Sequence, residues 1–188
     1  MTRQLIRRMN RILISNDCIH TDLRERQEMI LLLFFILQGR DRSNMAEFRV
    51  LSVVHIMLVQ SGQVLLLRRC NTGHMDGYYG FPGGKLDGGE TLHMAAIREA
   101  REETGVRINP AHLHMLGTMH IKTADAERID FFFRAEEWSG EVSNMEPDKC
   151  DELGWFDLNK LPDNTLPFMT KALDAFGRGE WFMESGWD

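Results

Sequence analysis

The chain has 188 residues, of which 43% are apolar and 27% charged, and its net charge at pH 7 is −6. This composition is typical of a globular domain with a hydrophobic core, and it excludes an intrinsically disordered chain. The negative charge disfavours a protein that coats nucleic acid or binds an anionic membrane surface. A small phosphorylated substrate stays compatible with it, because a bound cation reverses the local field.

The cysteines and the apolar segments indicate a compartment. Cys18, Cys70 and Cys150 are widely spaced and form no C-x-x-C pair, which favours free thiols over disulfides or a structural zinc site. The apolar run at 30–37 is too short to span a membrane, which takes about 20 residues. Acidic residues precede this run, unlike the basic start of a secretory signal. We therefore predict a cytoplasmic protein.

The first 44 residues differ from the rest of the chain. They combine basic residues, the apolar run and a polar linker that ends just before Met45. Residues 1–44 are either an N-terminal extension or a segment upstream of a natural translation start at Met45, and we favour the second interpretation. The mass of the native N-terminal peptide would distinguish the two. The predicted functional domain covers residues 45–188.

The remainder of the chain alternates strand-like and helix-like segments. Apolar, β-branched runs bounded by turn residues predict strands at 48–59, 64–69, 112–121, 129–138 and 152–156. Helical spacing predicts a helix that begins near Glu90 or Thr91 and ends at Gly105, and a second helix at 167–176. This order indicates an α/β or α+β domain in which helices cover a mixed β-sheet.

The first predicted helix carries three glutamates on one face. Glu99, Glu102 and Glu103 fall within an arc of about 100° at 3.6 residues per turn. Glu99 and Glu103 also form a like-charged i, i+4 pair, which destabilises a helix by roughly 0.2–0.5 kcal/mol. A divalent cation would turn this repulsion into attraction, and oxygen-only ligands favour Mg²⁺ or Mn²⁺.

A glycine-rich segment precedes this helix. Its glycines are Gly83, Gly84, Gly88 and Gly89. Glycine lets a backbone approach a ligand closely, so the segment is predicted to be a binding loop. It is not a phosphate-binding P-loop, because that pattern needs glycine and Ser or Thr where this chain has Tyr79 and Leu86.

Together the segment and the helix match the pattern G-x5-E-x7-R-E-U-x-E-E-x-G-U, in which U is apolar. The matching residues are Gly84, Glu90, Arg98, Glu99, Ala100, Glu102, Glu103, Gly105 and Val106. A chance match to the seven non-U positions has a probability on the order of 10⁻⁸ per window. The chain therefore resembles the MutT-like Nudix hydrolases. Ala100 is smaller than the usual branched residue, which changes packing and not chemistry.

The resemblance implies a Nudix fold, a mixed β-sheet sandwiched between helices, over about residues 46–180. It implies hydrolysis of a nucleoside diphosphate linked to another group, with Mg²⁺ or Mn²⁺. The implied metal ligands are Glu99, Glu102, Glu103 and the carbonyl of Gly83. Arg98 would orient Glu102, and Glu90 would tie the glycine segment to the helix. The general base stays open among the three glutamates and an acid from a later loop.

Further positions are predicted to bind substrate or metal. Arg69 matches a position where relatives carry a phosphate-contacting arginine, and Lys85 lies beside the glycine segment. Glu146 is a candidate for an additional metal ligand or base. Aromatic candidates for stacking on a base are Tyr78, Phe131, Phe133 and Trp187.

The C-terminal half, from Asn144 to Pro162, is similar to a subgroup that includes nucleoside triphosphate pyrophosphatases. The leading prediction is hydrolysis of a (deoxy)nucleoside triphosphate, damaged or not, to the monophosphate and pyrophosphate. ADP-ribose, nucleotide sugars, dinucleoside polyphosphates and capped RNA stay open as substrates. An inactive nucleotide sensor is disfavoured because every acid of the pattern is present. The expected partners are a nucleotide, no DNA or RNA duplex and no membrane, and the expected state is a monomer or homodimer.

Overall fold

The computed structural model describes residues 48–124 and 126–187. The strands are Leu51–Gln60 (β1), Gln63–Arg69 (β2), Tyr79–Gly80 (β3), Gly83–Lys85 (β4), Leu113–Lys122 (β5), Glu127–Ala135 (β6), Cys150–Asp157 (β7) and Phe182–Ser185 (β8). The α-helices are Leu92–Thr104 (α1) and Pro167–Gly177 (α2), and Pro110–His112 forms a 3₁₀ turn. The predicted extension at 1–44, the alternative start at Met45, the apolar run and Cys18 lie outside the described residues.

Strand β1 lies at the centre of the sheet. Its residues are buried on both faces, as expected for a continuous run of β-branched and apolar side chains. It pairs in parallel with β6 along most of its length and antiparallel with β4 at its beginning. It pairs with β2 only at its last two residues. The β1–β2 hairpin therefore joins two groups of paired strands. One group contains β1, β4, β5, β6 and β8, and the other contains β2, β3 and β7.

The strand order is β3-β2-β1-β6-β5-β8, with β4 on β1 and β7 on β2. Two apolar cores lie on the two faces of this mixed sheet. Phe133 belongs to the core that includes the alanines of α1, whereas Phe132 belongs to the core that includes Met169 and Ala172 of α2. Neighbouring residues of a strand face opposite sides. The predicted arrangement, a mixed β-sheet between helices, is therefore confirmed.

Helix α1 begins and ends at residues that cap it. The Thr91 hydroxyl accepts a hydrogen bond from the Met94 backbone N–H at 3.2 Å, and Gly105 ends the helix with φ 77°. The helix packs on the sheet through small residues, among them Ala100, which is fully buried. The small side chain at this position therefore allows close packing of α1, as the sequence suggested.

Three strands were not predicted from the sequence. β3 and β4 have two and three residues, too few to give a period-2 pattern, and β4 consists of two glycines and a lysine. β8 lies beyond α2 and is held by parallel pairing with β5, a contact that local sequence does not indicate.

The described part of the chain also bears on the predictions about membrane segments and cysteines. Among residues 48–124 and 126–187, no helix is long and apolar enough to cross a membrane. The two cysteines within this part of the chain are both free thiols, with Cys70 half-buried and Cys150 buried.

Candidate active site

The glycine segment and α1 meet face to face at two glycines. A Cβ on Gly83 would lie 2.0 Å from the Val54 carbonyl oxygen, and one on Gly84 would lie 2.4 Å from Oε1 of Glu99. Both distances are impossible for a real side chain. The prediction of a loop is therefore wrong at these two positions, because they belong to strand β4. Glycine is needed there for close approach to β1 and to α1.

Arg98 connects α1 to the glycine segment. Its Nη2 donates to Glu90 Oε1 at 2.8 Å and to the Lys85 carbonyl at 3.1 Å. Its Nη1 donates to Glu99 Oε1 at 2.8 Å and to Glu102 Oε2 at 3.1 Å. One guanidinium thus fixes the orientation of two carboxylates and holds the segment that precedes the helix.

Glu90 completes this connection from the loop side. Its Oε1 accepts the backbone N–H of Asp87 at 2.9 Å, and its Oε2 accepts Nε of Arg98 at 3.1 Å. The hydrogen bonds from Arg98 lower the pKa of Glu90, so Glu90 is ionised when it binds the arginine. The contacts that the sequence predicted for Glu90 and Arg98 are those that the structure contains, while their part in catalysis stays a prediction.

Glu103 is half-buried and is one of the three glutamates of α1, which we call the box carboxylates (Glu99, Glu102 and Glu103). Its Oε2 accepts the Gly83 backbone N–H at 2.8 Å. Burial, and after it the negative charges of Glu99 and Glu146, raise the pKa of Glu103 to about 8. Burial also raises the pKa of Glu99, despite its ion pair with Arg98. Burial in the cleft thus makes ionisation of both carboxyl groups more costly than in water.

The box carboxylates line a cleft of about 380 Å³. Gly83 and Gly84 form part of its wall, and Arg69, Glu146 and Lys149 reach it from other elements. The structure thus brings together side chains that lie up to 80 positions apart. A second cavity, of about 540 Å³, lies around Arg107 and Trp138 and is lined by no residue of the Nudix pattern.

Glu146 enters the cleft from the loop between β6 and β7. This loop is joined to the end of α1 by a hydrogen bond from the Met145 N–H to the Glu103 carbonyl at 3.1 Å. The Glu146 carboxylate accepts a hydrogen bond from Lys149 Nζ at 2.8 Å. Glu146 therefore lines the same cleft as the box carboxylates, with a lysine as its partner.

Arg69 reaches the cleft from the end of β2. Its Nε donates to the His74 carbonyl at 3.0 Å and its Nη2 donates to the Thr72 hydroxyl at 3.1 Å. Asp76 in turn accepts the backbone N–H groups of Thr72 and Gly73, each at 3.0 Å. The guanidinium is therefore held in place by the loop that follows β2.

Several predicted substrate contacts are not brought to this cleft. The Lys85 side chain is exposed and does not line the cleft, although its carbonyl binds Arg98. Phe133 is fully buried in the core, so the suggestion that it stacks on a base is wrong. Trp187 packs on His120, with 4.6 Å between ring centroids. None of the four aromatic candidates lines the cleft.

The box carboxylates, Glu146 and Gly83 supply the oxygen atoms that could bind a divalent cation in the cleft. Within the described residues, no three acidic, histidine or cysteine side chains are already gathered around one point. Glu99 and Glu102 accept hydrogen bonds from Arg98, and Glu103 accepts one from the Gly83 N–H. Two of the box carboxylates nevertheless have a raised pKa in a partly buried cleft. Carboxylate and carbonyl oxygens, which line this cleft, are the ligands that Mg²⁺ and Mn²⁺ prefer. The residues present therefore fit such a cation.

Comparison with known proteins agrees with this geometry. The family model of the NUDIX domain matches residues 48–176. The chain belongs to the Nudix family. It is accordingly a MutT-like Nudix hydrolase, an enzyme that acts on phosphorus-containing anhydrides.

The similarity extends to individual Nudix proteins. The chain is 33% identical over 120 residues to the 8-oxo-dGTP diphosphatase of Escherichia coli, covering 63% of this chain and 92% of that protein. It is 35% identical over 114 residues to the oxidized purine nucleoside triphosphate hydrolase of Danio rerio, covering 57% and 66%. The crystal structure of a MutT NUDIX hydrolase from Burkholderia pseudomallei superimposes with a TM-score of 0.62 and 30% identity, covering 67% of this chain and 97% of that one.

Two polar residues of the cleft in this Nudix domain, Thr72 and Lys149, were not predicted from the sequence. Lys149 carried a weak signal, since Glu146 and Lys149 are oppositely charged and three positions apart. Thr72 carried no such signal, because its place depends on the loop held by Asp76. Both residues reach the cleft only because their loops lie beside α1 in the folded chain.

Proposed function

We propose that this Nudix hydrolase cleaves a (deoxy)nucleoside triphosphate to the monophosphate and pyrophosphate, with oxidised purine nucleotides as its first substrates. The observation that carries the proposal is the cleft itself, in which the box carboxylates face a space that Arg69 and Lys149 also line. A chain of phosphates needs both metal ligands and cations around it. The two relatives named above, which act on oxidised purine nucleotides, support the choice of base.

The proposed metal ligands are the box carboxylates, Glu146 and the carbonyl of Gly83. A bound Mg²⁺ or Mn²⁺ would neutralise phosphate oxygens and lower the pKa of a water molecule. Arg98 keeps Glu99 and Glu102 oriented towards such an ion through its two bonds from Nη1. Gly84 lies so close to Glu99 that no side chain at position 84 would fit between β4 and the Glu99 carboxylate.

The protein's own residues contribute positioning and charge. Water attacks a phosphorus atom of the diphosphate linkage, the bond between that phosphorus and the bridging oxygen breaks, and the water proton passes to a carboxylate of the site. Arg69 is held by the Thr72 hydroxyl and the His74 carbonyl, so it offers a fixed positive charge to the phosphate chain. Fixed charges of this kind stabilise a transition state without reorganisation.

The test is a substrate panel with Mg²⁺ or Mn²⁺, in which the nucleotide products are separated by ion-exchange chromatography and pyrophosphate and phosphate are measured beside them. The panel contains the ordinary and the 8-oxo purine triphosphates, ADP-ribose, a nucleotide sugar and a dinucleoside polyphosphate. We expect pyrophosphate release to be fastest from an 8-oxo triphosphate, and Glu102→Gln to reduce it by about 10²-fold or more. Faster cleavage of ADP-ribose, the nucleotide sugar or the dinucleoside polyphosphate would overturn the proposed substrate class. Faster cleavage of an ordinary triphosphate would overturn the preference for an oxidised base. Turnover unaffected by Glu102→Gln would contradict the proposed site.

The proposal extends to the setting of the enzyme. We propose that the enzyme is cytoplasmic, since free nucleotides are its proposed substrates. We further propose that it is a monomer or a homodimer. Light scattering of the purified chain gives the oligomeric state, and fractionation of the source cell gives the compartment.

A further inference from the structure

Two cations lie side by side at the cleft. Arg69 is the last residue of β2, and Lys149 directly precedes β7, whose first residue pairs with Arg69. The Cys70 backbone N–H donates to the Lys149 carbonyl at 2.8 Å. The two basic residues therefore come from neighbouring backbone segments, and both line the cleft of the box carboxylates.

The backbone of Lys149 is fixed, whereas its side chain is not. The Lys149 N–H donates to the Glu146 carbonyl at 2.9 Å, and Asn71 Nδ2 donates to the Asp148 carbonyl at 3.2 Å. The Lys149 side chain is 64% exposed and its Nζ lies 2.8 Å from Glu146 Oε1. Exposed ion pairs of this kind are weak and exchange readily. The ammonium group can therefore take another anionic partner without movement of the loop.

Glu146 has a competing attraction. Its carboxylate lines the cleft and its charge acts on Glu103, since it contributes to the raised pKa of that residue. A divalent cation bound between these acids would draw on the same oxygens that now accept the Lys149 ammonium. A carboxylate that binds such a cation has less negative charge to offer a lysine.

We propose that Lys149 is a phosphate-binding residue, and that its ion pair with Glu146 restrains it until a divalent cation binds Glu146. The inference rests on the proposed function in one respect, namely that the substrate contains a diphosphate. The Lys149 ammonium has three donors for phosphate oxygens. Release of this group by the cation couples the binding of metal to the binding of substrate, and such coupling is reciprocal.

The first experiment measures inorganic pyrophosphate binding by calorimetry in EDTA. Glu146→Gln should bind pyrophosphate about tenfold more tightly than the unchanged chain, because Lys149 is released from its partner. In a Lys149→Met background the same Glu146→Gln change should give no gain. Equal affinity of Glu146→Gln and the unchanged chain would overturn the restraint. So would an equal gain in both backgrounds, because it would show a general effect of charge.

The second experiment repeats the titration with Mg²⁺ present. Lys149→Met should weaken pyrophosphate binding about tenfold, while Lys149→Arg should retain most of the affinity. Lys171→Met, at an exposed position of α2, is the matched control and should bind as the unchanged chain does. Unchanged affinity of Lys149→Met would overturn the phosphate role. These titrations involve no turnover, so their failure is distinct from failure of the substrate panel.

Discussion

At the scale of single residues, the unusual group of the Nudix site is Glu103. It is a carboxylic acid buried under the glycine strand, with one backbone N–H as its partner. A side chain of this type is costly to ionise without a countercharge. If Glu103 binds a cation as proposed, the positive charge would offset this cost.

This leads to a prediction for stability without metal. The pKa of Glu103 is about 8 in the folded chain against a reference value of 4.5, so between these values the folded state binds more protons than the unfolded state. The stability that Glu103 contributes is therefore complete below about pH 4.5 and is lost as the pH rises through 8. We expect the melting temperature in EDTA to fall over this range.

Thermal melts of two variants test the assignment. Glu103→Gln should remove most of the fall, because its amide cannot ionise. Glu141→Gln, at an exposed position, should leave it unchanged. Addition of Mg²⁺ should stabilise the unchanged chain most at the upper end of the range. A fall in melting temperature that persists in Glu103→Gln would assign it to other groups.

At the scale of elements, the close approach of β4 to α1 sets the position of the box carboxylates. The strand lies close to the helix because glycine occupies position 84 and because Arg98 bonds to the Lys85 carbonyl. The sequence predicted that glycines lie next to the carboxylates, and this is correct. The sequence predicted close approach of this backbone to a ligand, whereas the structure shows its close approach to β1 and to Glu99. The sequence did not indicate this because pairing of β4 with β1 is a long-range contact.

Gly84→Ala tests this fit. The new methyl group would lie 2.4 Å from Glu99 Oε1, so the carboxylate must move away from its place beside Arg98. We expect Mg²⁺ affinity and activity to fall about 10–100-fold, with the fold retained. The matched control is Gly177→Ala, where nothing lies within 4 Å of the new methyl group. Unchanged Mg²⁺ affinity in Gly84→Ala, measured by calorimetry, would contradict the role of this contact.

At the scale of the whole molecule, the site depends on a sheet that is packed on both faces. Strand β1 carries the backbone that pairs with β4 and with β6. Its alternate side chains fill the two cores, one with α1 and the other with α2. We therefore expect the stability of the sheet on which α1 packs to depend on the core on its other face as well.

Phe132→Ala is the corresponding test. Phe132 is fully buried. Loss of its ring should reduce the free energy of unfolding by about 3–5 kcal/mol. Phe182→Ala removes the same ring from a position that is 47% exposed and should cost less than about 1 kcal/mol. Urea titrations of both variants give the two values, and equal losses would contradict this description of the core.

The sequence alone determined the chemistry of the protein. The spacing of the box carboxylates along one helix is local information, and it is sufficient to place Glu99, Glu102 and Glu103 on one face. The long strands and both helices were predicted for the same reason, since their periodic patterns are contained within short segments.

The tertiary structure decided which other residues share the site and how strongly each acid holds its proton. Gly83 binds Glu103 across 20 positions, and Cys70 joins the Lys149 loop across 79 positions. No local pattern encodes such contacts, because they depend on how the strands pair. The raised pKa of Glu103 follows from burial, which is a property of the packed molecule and not of the segment that contains it.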